Sequence, residues 1–149
     1  MQAPAENLRI RLSSVGDAVI ETYPPVRMDS GIAASDLMVS YKVAVEVDRP
    51  RSQVGVKVTM AYTDARKTLF SGTLETTFYV VDLASYITEM KREDEFRIES
   101  DFLPMMISLA FSTTRGYFVR ELQGTALEPY PFPIVSMESI QKRTTYKLK

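Results

Sequence analysis

The stretch from Leu37 to Val81 constrains this chain most, because it alternates with period two three times in succession. In the first run Val39, Tyr41, Val43, Val45 and Val47 share one face, and Met38, Ser40, Lys42, Ala44 and Glu46 share the other. Alternation with β-branched residues on one side is the mark of a half-buried strand. Residues 48–52 (DRPRS) are charged and hold Pro50, so they read as a turn. A second run places Val54, Val56, Val58, Met60 and Tyr62 opposite Gln53, Gly55, Lys57, Thr59 and Ala61. After the polar connector 63–67, a third run sets Phe70, Leu74, Phe78 and Val80 against Ser71, Thr73, Glu75 and Thr77. Gly72 falls where a bulge is expected. Short connections favour antiparallel neighbours, so the three strands form a meander with one wet face and one face to be covered.

The residue types absent from the chain narrow its chemistry. The 149 residues include no cysteine and no histidine. A disulfide framework, thiolate chemistry and Ser-His-Asp or Cys-His catalysis are therefore excluded. The usual zinc, iron and copper sites go with them. An oxygen-only magnesium or calcium site stays formally open, but no Asp-rich loop suggests one. No catalytic residue, metal ligand or cofactor is assigned. Glu93 and Asp94 sit in the charge run 91–95 (KREDE), away from apolar neighbours that would raise a carboxyl pKa, so an enzyme is the least favoured class. The net charge of −1 favours neither nucleic acid nor an anionic membrane. The start MQAPAENLRIRL lacks a basic segment followed by an apolar run, and no apolar stretch reaches the roughly 18 residues of a membrane span. A cytoplasmic location and no membrane insertion follow as expectations.

Taken in order, residues 1–7 read as a loose leader. Leu8, Ile10 and Leu12 alternate with Arg9, Arg11 and Ser13 as a first strand, which Val15–Thr22 continues past a kink at Gly16. Residues 23–36 (YPPVRMDSGIAASD) form a long loop carrying Val26, Met28 and Ile32. Two readings of those apolar residues stand: they tuck onto the sheet edge, or they bind something. Beyond the fourth strand, Asp82 caps a short helix running through Leu83, Ala84, Tyr86, Ile87 and Met90. Ser100 or Asp101 caps the main helix, with Pro104 in its first turn.

In that helix Phe102, Met105, Met106, Leu109, Phe111, Thr113, Tyr117, Val119 and Leu122 wrap more than one stripe of about 100°. A helix that only covers a sheet needs one apolar face, so a second partner is expected. Thr113, Thr114 and Gly116 are small enough to let another helix approach. The expected subunit interface is Met105, Met106, Leu109, Thr113, Gly116 and Tyr117; the alternative is a deep groove in a monomer. Arg115 is a lone cation in the helix, expected to bond a helix end or a carboxylate. Gly124 suits a left-handed C-cap. Residues 128–133 (EPYPFP) are stiff and extended, and Val135–Gln141 forms a short amphipathic helix capped by Ser136, with Met137 and Ile140 on one side. The basic tail 142–149 is expected to fray. The whole reads as a single domain over residues 1–149, α+β in class, with a four-stranded antiparallel sheet and a long and a short helix packed on one face.

The order strand, long loop, meander, connector, long helix, proline-rich turn, short helix resembles the SecB-type protein-export chaperones and their SecB-like relatives. Phe78-Tyr79-Val80-Val81 closes the fourth strand as in the family, and Phe102-Leu103-Pro104 opens the long helix. Arg115-Gly116 resembles the family's arginine-glycine pair, though a longer stretch follows it here. Pro131-Phe132-Pro133-Ile134 stands where the family has an extended apolar-proline segment.

That resemblance, which spans about Leu8 to Ile140, implies an ATP-independent holdase. Such proteins are homotetramers, dimers of dimers, packed through their long helices, and they hold unfolded or precursor polypeptides in apolar grooves. The eight methionines and eight tyrosines suit an adaptable apolar surface. The family's groove regions correspond here to Met28, Ile32, Met38, Tyr130, Phe132, Ile134, Met137 and Ile140, each of which could equally be ordinary core. Family members are strongly acidic on the open sheet face that docks the SecA motor. Lys42 and Lys57 dilute Glu46 and Glu75 on that face here, which argues against a SecA-type partner. A dedicated chaperone of one partner such as an antitoxin, and a non-enzymatic oligomeric scaffold, are the competing readings.

Overall fold

The computed structural model describes residues 10–24, 36–65, 67–89, 96–98 and 102–149. The meander forms as its periodicity predicts. Strands β3 (Leu37–Asp48), β4 (Gln53–Asp64) and β5 (Lys67–Val80) pair antiparallel, with Val43 opposite Val58 and Val58 opposite Leu74. Their inward residues, from Val43, Val45 and Val47 through Val54–Tyr62 to Phe70, Leu74, Phe78 and Val80, are buried. On the other face Lys42, Ala44 and Lys57 are exposed, and Thr59, Thr73 and Glu75 are half-exposed.

The sheet has six strands rather than four. The first strand is split into β1 (Ile10–Val15) and β2 (Val19–Thr22), which pair in succession along β5. The break comes at Gly16, whose amide donates to the Glu75 carbonyl at 2.8 Å, so the kink is held by the sheet itself. The sixth strand is the tail. Residues Thr144–Leu148, expected to fray, form β8, paired parallel to β3 with Thr144 beside Val43 and Leu148 beside Val47. Without it β3 would be an edge with an unpaired row of amides and carbonyls. The sequence Thr-Thr-Tyr has the β propensity to fill that row. Lys149 completes the seal: its amide donates to the Val47 carbonyl at 2.7 Å and its Nζ lies 3.8 Å from a Glu46 carboxylate oxygen.

A second expectation also changes. The helix expected from Leu83 is a single 3-10 turn, Leu83–Tyr86, followed by strand at Ile87–Glu89, and Met90 lies outside the described residues. Asp82 sits in the left-handed region at φ 55° and its side chain makes no capping bond. Strand β6 (Ile87–Glu89) pairs with β7 (Phe96–Ile98) in a small separate sheet, which suits the β-branched Ile87, Thr88 and Ile98. The leader, the charge run 91–95, the caps Ser100 and Asp101, and the loop residues Val26, Met28 and Ile32 lie outside the described residues.

Helix α1 (Phe102–Glu121) crosses the inner face over β4 and β5. It buries Met106, Ile107, Ala110, Phe111, Thr114 and Phe118, and Gly124, three residues beyond its end, adopts the left-handed conformation at φ 78° in the turn that follows. Gly72 is not a bulge within the meander: it pairs in register with Met60. It is the place where the Phe118 ring meets the sheet, since a Cβ there would lie 2.7 Å from Phe118 Cζ. On β5 the Thr76 hydroxyl is buried with no hydrogen-bond partner among the described residues. Thr76→Val removes that unsatisfied group at nearly constant shape, and is expected to raise the urea midpoint by an amount equivalent to about 1 kcal/mol. An unchanged midpoint would mean that the hydroxyl is satisfied.

Candidate functional site

The segment after α1 is built from its prolines. A turn closed by the Tyr130 amide on the Leu127 carbonyl at 2.9 Å leads into residues 131–136, which are neither helix nor strand and where Pro131 and Pro133 favour an extended backbone. Phe132 points inward. It is buried against Tyr41, Tyr62 and Phe111, with edge-to-face ring centroids 6.1, 5.9 and 5.9 Å away. Ile134 points outward and is 89 % exposed. The Tyr62 hydroxyl donates to the Tyr130 carbonyl at 2.9 Å and ties the segment to β4. Helix α2 (Met137–Lys142) follows, capped by Ser136 as expected, whose hydroxyl accepts from the Ser139 amide at 3.2 Å. Ser139 hydrogen-bonds the Tyr41 hydroxyl, which fixes α2 against β3.

Burial pushes the Tyr62 phenol well above the ordinary tyrosine range. The folded state therefore keeps this group neutral to higher pH than the unfolded chain does. Its stabilising effect is full below about pH 10, the unfolded value, and is lost as pH rises beyond it. Tyr62→Phe is expected to lower stability by about 1 kcal/mol at neutral pH by removing the bond to Tyr130. It should also flatten the loss of stability above about pH 10, read from thermal melts across that range. A steep alkaline limb that survives in the variant would assign the effect to another group.

Among the described residues, those expected to line a peptide groove do not come together as one surface. Met28 and Ile32 are outside the described residues. Phe132 and Ile140 are core, because the extended segment and α2 need anchors where they meet the sheet. Met38 is 71 % exposed, but β3 alternation puts it on the open face, opposite to Phe132. Ile134 and the half-buried Tyr130 and Met137 remain together along the segment and α2.

The outer surface of α1 carries most of the residues expected at a subunit interface. Met105, Leu109, Thr113, Gly116 and Tyr117 are exposed, and a Cβ on Gly116 would meet nothing within 4 Å. Ser108, Ser112 and Val119 extend the same side, so the exposed positions from Pro104 to Val119 carry no charged side chain. That is unusual for a solvated helix face. Met106 does not belong to it. It sits one turn before Ala110 on the side that α1 lays on the sheet, and is fully buried. Thr114 is likewise buried and its hydroxyl donates to the Ala110 carbonyl at 2.7 Å. Arg115 is half-buried and makes no ion pair among the described residues.

Sequence reading missed a third apolar surface. On β1, Leu12 pairs with Phe78 and Val15 with Thr76, which puts both on the inner face beyond the reach of α1. Leu12 is 58 % exposed there. The alternation of Leu8, Ile10 and Leu12 marked the strand, but nothing in it said that the helix stops short. Among the described residues no group of Asp and Glu side chains is arranged to hold a metal ion, and no helix is long and apolar enough to cross a membrane.

No protein-family model and no curated protein sequence matches the chain. Its fold has a counterpart among solved structures. A SecB-like chaperone of Mycobacterium tuberculosis, solved with a ChAD peptide from the HigA1 antitoxin, superposes with a TM-score of 0.50 over 87 % of this chain and 93 % of that one, at 10 % identity. The fold is SecB-like, an α+β arrangement of a sheet and a long helix.

Proposed function

We propose that this protein is an ATP-independent holdase that binds unfolded or precursor polypeptide on its apolar surface. The observation that carries the reading is Ile134, 89 % exposed on a proline-stiffened segment whose neighbour Phe132 is locked in the core of a SecB-like fold. A rigid extended segment with one anchored side and one bare apolar side offers a preorganised contact for an extended chain. Tyr130 and Met137 flank it, and Met28 and Ile32 join it in this reading, whereas Met38 on the open face does not. Residues 1–149 act as one domain, in the cytoplasm. The test is aggregation of a chemically unfolded client, followed by light scattering at increasing ratios of this protein. Suppression near stoichiometry, weakened by Ile134→Ser, is the expected result. Undiminished aggregation beside a folded protein rejects the reading.

One observation favours a narrower version, in which the chain serves a single partner. The SecB-like chaperone with the similar fold is solved with an antitoxin peptide. A dedicated chaperone would protect its own partner and leave generic clients to aggregate, so the same assay separates the two.

The uncharged outer face of α1 we assign to self-association into a dimer of dimers. Leu109→Glu is expected to reduce the solution mass from that of a tetramer to a smaller species, read by light scattering behind a sizing column. The side chain is half exposed, so the fold itself should change by no more than about 0.5 kcal/mol. A wild-type monomer, or a variant of unchanged mass, would remove the helix face as the interface.

A further inference from the structure

The C-terminal strand alters the electrostatics of the sheet's open face. On that face Lys42 of β3 is paired with Thr59 of β4, and Lys57 of β4 with Ala44 of β3. The two lysines are therefore diagonal neighbours, within reach of one another's long side chains. β8 sets Thr145 beside Ala44, with Arg143 just before it. Lys42, Lys57 and Arg143, with the hydroxyls of Thr59, Thr73 and Thr145, line a shallow depression of about 440 Å³.

Charge there is unbalanced. Lys57 lies 3.7 Å from Glu75 in a solvent-exposed pair. Lys42 has no ion-pair partner among the described residues. Arg143 borders the depression, but its guanidinium is engaged by the Tyr41 ring, 4.9 Å from the centroid, so Lys42 is the cation left uncompensated. The chain as a whole is close to neutral, with 18 Lys and Arg against 19 Asp and Glu, so an uncompensated cation here is a local excess. Thr59 and Thr73 share a hydrogen bond of 2.8 Å, which leaves one hydroxyl hydrogen of the pair free to donate outward.

The arrangement discriminates among anions. The backbone amides under the depression are consumed by the β3–β4 and β3–β8 ladders, so no nest of N–H groups exists to hold a compact phosphate. No aromatic ring lines the depression to stack a nucleic-acid base. The donors are instead the ends of long side chains spread across neighbouring strands, which suits carboxylates spaced along an extended chain. We propose that this face docks an acidic, extended segment of a partner protein, with its carboxylates on Lys42 and Lys57. The surface is on the opposite side of the sheet from α1 and Phe132, so the inference does not depend on the client-holding reading.

The experiment is fluorescence anisotropy with a labelled peptide of alternating glutamate and serine. The full chain should bind it saturably, and more weakly as salt rises. Lys42→Glu with Lys57→Gln is expected to weaken binding about tenfold, and Lys42→Gln alone by less. Arg51→Gln, at the far end of the same face, should bind as the wild type does. Far-UV circular dichroism checks that each variant is folded, and client aggregation should be unaffected by all of them. Equal binding by the double variant overturns the proposal. So does displacement of the peptide by inorganic phosphate at matched ionic strength, or tighter binding of a single-stranded oligonucleotide.

Discussion

Phe132→Ala is expected to lower stability in urea by about 3–5 kcal/mol, the usual range for removing a buried aromatic ring. The ring is 5 % exposed and touches three other aromatics edge to face. Each such pair adds about 0.5–1.5 kcal/mol beyond the area buried. Tyr41, Tyr62 and Phe111 come from β3, β4 and α1, so collapse into the vacated space would have to move all of those elements. Phe132 also anchors the extended segment, and its loss should weaken the hydrogen bond from Tyr62 to the Tyr130 carbonyl. A loss of less than about 1 kcal/mol would mean that this anchoring is wrong. The result bears on any test of function. A Phe132→Ala protein that fails to hold a client reports a loosened fold, whereas Ile134→Ser removes exposed surface and should leave the urea midpoint nearly unchanged. The two variants measured together separate binding from folding.

Gly72→Val is expected to destabilise by about 3 kcal/mol, at the upper end for overpacking. A Cβ at Gly72 would stand 2.7 and 2.9 Å from two carbons of the Phe118 ring and 3.0 Å from a carbon of Phe70. Neither ring can simply turn away. Their centroids are 5.1 Å apart, Phe118 is fixed on α1, and Phe70 packs on Tyr62 at 6.2 Å. The helix must lift from β5 or the strand must bow. Shortening the opposing side chain should relieve the clash, so Gly72→Val with Phe118→Leu is expected to be less destabilised than the sum of the two single changes. A double-mutant cycle from urea titrations measures that difference. Strict additivity would show that the glycine is needed for another reason.

The amino-acid sequence determined the meander, its faces and its turns, because a strand with one wet side must alternate wherever it lies. It also determined α1 and the left-handed glycine after it, the proline-rich segment and the Ser136 cap of α2, all of which depend on residues a few positions apart. The chemistry excluded by the lack of cysteine and histidine needed no structure at all. Three-dimensional packing decided the rest. A charged tail with two threonines and a tyrosine looks frayed in one dimension, but the open edge of β3 makes it a sixth strand. That strand brings Arg143 and Thr145 beside Lys42 and Lys57, a juxtaposition of residues about a hundred positions apart. Gly72 read as a bulge because only the path of α1 reveals the ring above it. Among the apolar residues after α1, Phe132 and Ile134 look interchangeable in the chain; which of them is core and which is surface depends on the side of the segment that meets the sheet. Exposure is a property of what covers a residue, and the covering element is rarely its neighbour in sequence.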